Sequence, residues 1–279
     1  MKEEAAAAGN SLRIGLFGAG RVAAALGAAL AAAGHQVVFV SSRAQGPAEA
    51  LAAHLPGCQA LPASAARQSL PPADAYLLAV PDAVVPALAA ALPWPPGAIV
   101  AHLAGALSLG ALVEAAPAAH AGVLYPLQTF SPGRAIAWGE VPLFVEAADP
   151  ATETQLLALA HSLSGRVARL DSGERLRLHL GAVWASNFTN HLLGVAQHLL
   201  AEAGLPFELL HPLVRETIDK ALGAQPSAFA VQTGPAVRFD QPTLAAHTAA
   251  LAAHPAWQQL YAGLSASIQA AAAAGRAPD

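Results

Sequence analysis

Residues 13–43 read RIGLFGAGRVAAALGAALAAAGHQVVFVSSR, and this stretch decides the fold. An apolar run ends at glycine, an alanine-rich segment follows, and a second apolar run closes the unit, which predicts strand, helix and strand. The start of this helix fits the pattern G-x-G-x-x-A with Gly18, Ala19, Gly20, Arg21, Val22 and Ala23. Such a loop lets a pyrophosphate approach the backbone at a helix N-terminus. The alternative is an ordinary turn that needs glycine only for its shape.

The end of the second predicted strand bears on which dinucleotide would bind. Many NAD sites carry an acidic residue there for the ribose 2′-hydroxyl, whereas this chain has Ser41, Ser42 and Arg43. Hydroxyl groups and a guanidinium suit a 2′-phosphate, and Arg21 in the glycine loop adds a second cation. The sequence therefore favours NADP as the cofactor, with a solvated surface arginine as the alternative for Arg43.

Strands and helices alternate as far as residue 171, after which every segment has a helical pattern. Alternation of this kind predicts a doubly wound, mainly parallel Rossmann sheet, and hence an α/β fold followed by an all-α C-terminal domain. We place the dinucleotide-binding domain at residues 11–171 and a helical domain for substrate binding and dimerisation at residues 172–279.

Composition narrows the class of protein. Hydrophobic residues make up 55% of the 279 residues and charged residues 11%, which is enough apolar material for a core. The formal net charge is -4 and no basic stripe is present, which argues against a nucleic-acid partner. No uninterrupted apolar run reaches the roughly 18 residues typical of a membrane span. The single cysteine, Cys58, suits a reducing cytoplasm and is a poor candidate for a nucleophile.

Two further predicted strand ends carry candidate binding residues. Val80, Pro81 and Asp82 close the third predicted strand, and His102 closes the next. Ligands lie at the carboxyl ends of strands in open α/β sheets, so these residues are candidate cofactor contacts. The alternatives are a strand-ending proline with Asp82 as a helix cap, and a buried structural histidine.

Several later segments together resemble a known family. They are IVAHLAGALSLGAL, GVLYPLQTFSPG, VPLFVEA, WASNFTNHLL and TGPAVRFDQPTLAAH. With the glycine loop, they resemble Rossmann-like NADP oxidoreductases that have a helical C-terminal domain of unknown function. These are distant relatives of pyrroline-5-carboxylate reductase and of the 3-hydroxyacyl-CoA and β-hydroxyacid dehydrogenases. The resemblance spans about residues 12–255, and it implies a fold and a cofactor class without a substrate.

The chain departs from these relatives at two positions. Tyr125 stands where family members usually begin the PLQTF motif with histidine. The β-hydroxyacid dehydrogenases place a lysine one turn before an asparagine on the first long helix. Here Val183 precedes Asn187 by four positions, and the only lysines are Lys2 and Lys220. A lysine mechanism is therefore disfavoured.

The remaining polar residues suggest how an interdomain cleft would work. Tyr125 is the candidate proton donor, and Asn187 the candidate hydrogen-bond partner of the substrate. Gln128 and Thr129 follow Tyr125 and are candidate substrate contacts. Arg238 and His247 are also candidates for gripping a polar or acidic substrate. For Arg238 and His247 the alternative is structural, with ion pairing and with Asp240 and Thr243 capping the helix that carries His247.

These features predict an NADP(H)-dependent oxidoreductase that acts on a small carbonyl or imine compound. A dinucleotide-binding sensor or scaffold without turnover is the alternative. The eleven histidines form no HxxxH or HExxH motif, so no metal site is predicted. Apolar residues on many sides of the segment 176–203 predict a homodimer.

Overall fold

The computed structural model describes residues 11–274. Its eight-stranded sheet has the order β3-β2-β1-β4-β5-β6-β7-β8. Neighbouring strands run parallel except β6 and β7, which are antiparallel. The strands β1 to β8 are Arg13–Phe17, Gln36–Ser42, Gln59–Pro62, Ala75–Leu78, Ile99–His102, His120–Pro126, Leu143–Ala147 and Val167–Arg169. This mainly parallel sheet confirms the predicted fold class.

Helices cover both faces of the sheet. The α-helices α1 to α11 are Arg21–Ala32, Gln45–Ala52, Ala63–Ala66, Val85–Ala90, Leu109–Ala115, Pro150–Leu163, Ser172–Ala182, Thr189–Glu202, His211–Gly223, Gln241–Ala250 and Pro255–Ala274. One buried apolar cluster includes Leu26 of α1 and Leu159 of α6. A second includes Val85 of α4 and Leu112 of α5. A sheet with separate cores on its two faces is doubly wound.

The central strands are apolar because both of their faces are covered. All residues of β4 and β5 are buried, including His102 at the end of β5. The strand order reverses between β1 and β4, which are neighbours in the sheet. In open α/β sheets, ligands bind beyond the carboxyl ends of the strands at such a reversal. The glycine loop follows β1 at this point.

Three details differ from the sequence patterns. Gln59–Pro62 forms strand β3, which the pattern of apolar residues does not reveal because the segment is only four residues long. β7 runs antiparallel to β6, since only 16 residues separate Pro126 from Leu143 and no α-helix crosses over between them. The segment predicted as one long helix contains a π-helical turn, Val183–Phe188, between α7 and α8.

The chain divides into two compact units between Asn187 and Phe188. The boundary predicted from the sequence, after residue 171, is earlier in the chain than this division. Helix α7 belongs to the first unit because its Arg175 is buried and paired with Glu146 of β7. The second unit contains α8 to α11, and its buried side chains include Leu244 and Leu251. Within residues 11–274, no helix has both the length and the hydrophobicity needed to cross a bilayer.

Candidate functional site

The glycine loop has the backbone geometry that a phosphate-binding turn requires. Gly18 has a φ of +111°, in the region that favours glycine, and its N–H donates to the Ser41 carbonyl over 2.7 Å. A Cβ at this position would collide with the Ala79 carbonyl oxygen. A Cβ on Gly20 would meet open space, so this residue presents bare backbone at the start of α1. The fully buried Ala23 lets the helix pack closely on the sheet.

A cavity of about 350 Å³ lies beside this loop. Many of the predicted cofactor residues line it, namely Gly18, Ala19, Gly20, Ser41, Ser42, Arg43, Val80 and Pro81. Among the described lining residues none is acidic, whereas two are arginines. The cavity wall is otherwise mainly apolar, with Leu88 and Leu92 contributing large side chains. The arrangement suits a flat apolar ring system that carries an anionic group.

Arg67 is the second arginine of this cavity, and the sequence motifs did not indicate it. It is exposed and follows the short helix α3, directly after strand β3. Both elements are too short to show a clear periodicity. Only the parallel pairing of β3 with β2 brings Arg67 to the same cavity as Arg43.

A second cavity, of about 460 Å³, shares Ala19 and Gly20 with the first. Its lining includes Arg21 of α1 and Arg134 of the loop that follows β6. Two cations beside the open backbone of Gly20 favour a negatively charged group there. The glycine loop is therefore accessible to an anion from a second cavity, and Arg21 faces that cavity.

Tyr125 lies within β6, near the strand's carboxyl end, and is 7% exposed. Its hydroxyl group is 3.0 Å from Nδ1 of His179 on α7. Burial, and then the negative charge of Asp82, raise the pKa of Tyr125, while Arg175 acts in the opposite direction. The tyrosine is therefore a neutral phenol that shares a hydrogen bond with an imidazole.

Gly105 makes room for this pair. A Cβ at position 105 would overlap the ring of His179. Only a residue without a side chain lets the imidazole lie where it meets Tyr125. The loop after β5, the end of β6 and helix α7 are thus fitted to one another around the Tyr125–His179 hydrogen bond.

His102, on the strand next to β6, is completely buried. Its Nδ1 accepts a hydrogen bond from the Ala104 N–H over 3.1 Å, so Nε2 carries the ring proton. Within the described part of the chain, that Nε2 has no hydrogen-bond partner. Burial, and then the positive charge of Arg175, lower the pKa of His102 to about 4. His102 is a neutral donor at physiological pH.

Arg175 is the buried cation of this region, with 1% of its side chain exposed. Its two terminal nitrogens contact the Glu146 carboxylate and the Leu107 carbonyl oxygen. The Ser172 hydroxyl lies 2.8 and 2.9 Å from the two oxygens of Glu146 and also accepts from the Leu109 N–H. The guanidinium is therefore held on two sides, and its Nε has no partner among the described residues.

Sequence reasoning did not single out Arg175 or His179, although a signal was available. Ser172, Arg175 and His179 are spaced three and four residues apart and thus share one face of α7. Glu146 had no comparable signal, because it sits within a short strand and its partner is distant in sequence.

The other predicted residues of the first unit are more exposed. Asp82 is half-buried and begins the 3-10 turn Asp82–Val84, outside the lining of the two cavities. Gln128 and Thr129 are exposed, and the Gln128 side chain accepts from the Thr129 N–H over 2.7 Å. Asn187 is exposed in the π-helical turn, a feature often found near functional sites.

Three predicted polar residues of the second unit, Asp240, Thr243 and His247, have local hydrogen-bond partners. Asp240 caps α10 by accepting from the N–H of Thr243, and the Thr243 hydroxyl also bonds its carboxylate. These two hydrogen bonds lower the pKa of Asp240. His247 is exposed and lies 2.8 Å from the Tyr261 hydroxyl. Arg238 is exposed. The capping explanation thus accounts for Asp240 and Thr243.

Cys58 is half-buried, and burial raises the pKa of its thiol to about 11. A thiol of this kind is protonated at neutral pH and is a weak nucleophile. This agrees with the low reactivity expected of Cys58.

Comparison with known proteins gives two family matches. A Rossmann-like domain matches residues 2–130, and a "domain of unknown function (DUF2520)" matches residues 141–268. A Bacteroides fragilis protein described as a "putative NADP oxidoreductase" is 35% identical, with a TM-score of 0.83. The match covers 93% of this chain and 98% of that protein. These matches confirm the resemblance that the sequence motifs indicate.

More distant structures share the fold. A reductive aminase from Aspergillus terreus, in complex with NADPH and ethyl-5-oxohexanoate, is 18% identical with a TM-score of 0.68, over 96% of each chain. A 1-pyrroline-5-carboxylate reductase from Streptococcus pyogenes is 12% identical with a TM-score of 0.59, over 94% of this chain and 99% of that one. A search of curated proteins gives no significant match.

Proposed function

Since the chain belongs to the family of Rossmann-like proteins with a C-terminal DUF2520 domain, we propose that it is an NADP(H)-dependent oxidoreductase. Its substrate is a small carbonyl or imine compound. The observation that carries this proposal is the cavity beside the glycine loop, which combines bare phosphate-binding backbone with two arginines. The 35% identical relative from Bacteroides fragilis, described as a "putative NADP oxidoreductase", supports it.

The residues at the cavity fit NADP better than NAD. Ser42 and Arg43 follow the second strand, where a 2′-phosphate would lie, and Arg67 lines the same cavity. A dianionic phosphate between two guanidinium groups gains charge-assisted hydrogen bonds, which a 2′-hydroxyl group does not supply. A carboxylate, which would repel that phosphate, is absent from the described lining.

NADPH, when bound, supplies the hydride, and the protein must supply a proton to the acceptor. Tyr125 and His179 are the residues we assign to that step. When the imidazole is protonated, its Nδ1–H donates to the tyrosine oxygen, which leaves the phenol hydrogen free for an acceptor atom. The proton then moves from Tyr125 to the acceptor oxygen or nitrogen, and from His179 to Tyr125.

Three other residues of the first unit are candidates for roles beside this pair. Arg175 lies one helical turn before His179 and is anchored by Glu146. His102 lies on the neighbouring strand, its Nε2–H has no hydrogen-bond partner among residues 11–274, and it is a candidate donor to the cofactor or the acceptor. We also propose Asn187 as a hydrogen-bond partner of the substrate.

Further substrate contacts are proposed at Gln128 and Thr129, which are exposed shortly after Tyr125, and at Arg238 and His247 of the helical unit. All four side chains offer hydrogen-bonding groups. These roles require a polar substrate. For each of the four residues, a variant that changes the KM for the substrate and leaves the affinity for NADPH unchanged would support the assignment.

A direct test is to mix the protein with NADPH and a panel of ketoacids and cyclic imines, or with NADP and a panel of hydroxyacids. The nicotinamide absorbance is followed in each mixture. We expect turnover with at least one class, and a large loss of turnover with unchanged NADPH affinity in Tyr125→Phe and His179→Asn. Tight NADPH binding without turnover on the whole panel would favour a dinucleotide sensor or scaffold. Failure to bind NADPH would refute both.

We further propose that the protein is a homodimer. Five large apolar side chains, spaced by four residues each, are between 39% and 58% exposed: Leu176, Leu180, Trp184, Phe188 and Leu192. So much exposed apolar surface is unusual for a monomer. Light scattering after size exclusion should give a dimer mass, and Leu180→Glu should lower it to that of a monomer. Val113→Glu on α5, also an exposed apolar position, serves as the control.

A further inference from the structure

Three potential metal ligands converge in the C-terminal unit, on residues with no assigned role in the reaction above. His198 and Glu202 lie one turn apart on α8, and His254 immediately precedes α11. Nε2 of His254 is 3.1 Å from each carboxylate oxygen of Glu202. Nε2 of His198 is 3.5 Å from one of them. The three ligand atoms all lie within 4.8 Å of one another.

The backbone and a neighbouring ring hold these side chains in place. His198 and Glu202 have the fixed i,i+4 spacing of a helix. The N–H of His254 donates to the Leu251 carbonyl over 2.8 Å, and its own carbonyl accepts from the Gln258 N–H over 2.9 Å. The geometry of the donor set therefore rests on two helices rather than on a loose loop.

Trp257 contacts both imidazoles. Its ring stacks on His254 with a centroid separation of 4.4 Å and meets the edge of His198 at 5.0 Å. The side chain of His254 is 22% exposed, and that of His198 is 55% exposed. An indole against both rings limits their rotation, and so lowers the entropy lost when a ligand fixes them.

Two of the three separations between the ligand atoms match those of a small tetrahedral metal site, and the third, between the two histidine nitrogens, is within 4.8 Å. Bonds of about 2.0–2.1 Å from zinc to histidine nitrogen and carboxylate oxygen put neighbouring ligand atoms roughly 3.3–3.4 Å apart. The observed nitrogen–oxygen separations of 3.1 and 3.5 Å bracket that value. Two imidazoles and one carboxylate are also a donor set that borderline divalent ions prefer.

We propose that His198, Glu202 and His254 form a binding site for one divalent transition-metal ion of the zinc type, with a fourth position open to solvent. Each imidazole would bind through Nε2 and keep a proton on Nδ1. The ion would cross-link α8 to the start of α11, two segments 52 residues apart in the chain. Its effect is to stabilise the helical unit.

This site departs from the expectation of no metal, which rested on spacing along the chain. His191 and His198 are seven residues apart, as are His247 and His254, and neither pair alone suggests a site. The tertiary structure selects one histidine from each pair and adds Glu202 between them.

The test uses the full chain, stripped with a chelator and titrated with zinc chloride by calorimetry. We expect one zinc per chain, and a loss of affinity of at least about tenfold in each of His198→Ala, Glu202→Gln and His254→Ala, since each removes a ligand. Zinc should also raise the melting temperature of the wild type and leave that of Glu202→Gln almost unchanged. His191→Ala, an exposed histidine on the same helix, should bind zinc like the wild type.

Two results would overturn the proposal. One is the absence of saturable zinc binding to the wild type. The other is binding that survives all three ligand substitutions, or that falls equally in His191→Ala, because the zinc would then occupy scattered surface histidines. NADPH binding, measured on the same samples, reports on the first unit and is independent of both outcomes.

Discussion

Replacing Glu146 by glutamine should destabilise the protein strongly, because it removes the charge that compensates a buried arginine. The side chain of Arg175 is 1% exposed and that of Glu146 is 18% exposed. In the variant, the guanidinium keeps its contact with the Leu107 carbonyl and a longer one of 3.3 Å to the Ser172 hydroxyl. The amide can accept one hydrogen bond, but it no longer offers a negative charge.

The expected magnitude follows from this burial. Removing one partner of a buried ion pair costs about 3–5 kcal/mol, and the acceptor that glutamine retains places this case at about 3 kcal/mol. For a chain of this size each kcal/mol lowers the melting temperature by about 2–4 °C, so a fall of roughly 6–12 °C is expected. Secondary structure at low temperature should be retained.

The assay is thermal unfolding followed by circular dichroism, with Glu153→Gln as the matched control. Glu153 pairs with Arg169 over 2.9 Å, but the side chain of Arg169 is 66% exposed. Loss of such a surface pair costs about 1 kcal/mol or less, so its melting temperature should move by a few degrees at most. If the two variants melt at the same temperature, the reasoning from burial is wrong.

Three further outcomes follow from the geometry of the first unit. Arg43→Ala should weaken NADPH binding about tenfold, because it removes a hydrogen bond to a charged group worth about 1.5 kcal/mol, and it should leave NADH binding unchanged. Equal losses of affinity for the two dinucleotides would contradict a 2′-phosphate contact. Gly105→Ala should displace His179 and lower turnover at least about tenfold with NADPH affinity intact. Gly181→Ala, on the helix α7 that carries His179, places its Cβ in open space and should leave turnover unchanged. Since the pKa of His102 is about 4 in the folded chain against 6.5 when free, the unfolded state takes up the proton first, and stability should fall by up to about 3 kcal/mol as pH drops from 6.5 to 4. Denaturant unfolding of His102→Asn should show a shallower decline over this window, and an identical decline would rule out His102 as its source.

The sequence by itself determined the nucleotide-binding half of the protein, because that information is local. Gly18 and Gly20 are two residues apart, and the backbone they need is set by the absence of a side chain at each position. The alternation of apolar segments indicated the doubly wound sheet, since burial on both faces requires continuous apolar strands. Arg43 was singled out as a candidate because, in dinucleotide-binding βαβ units, the end of the second strand lies near the ribose.

Only the tertiary structure determined which residues that are distant in sequence come together. Arg67 reaches the cavity of Arg43 only through the pairing of β3 with β2. The partners of Tyr125 could not be read from the sequence either, because its hydrogen bond to His179 joins positions 54 residues apart.

The same limit explains the other two clusters. Glu146 meets Arg175 across 29 residues, and His254 meets Glu202 across 52. Side-chain periodicity specifies which face of a helix or strand a residue occupies, as the i,i+4 spacing of His198 and Glu202 on α8 illustrates. It does not specify which other element that face will meet. That choice is made by the packing of whole elements, which depends on contacts summed over the entire chain.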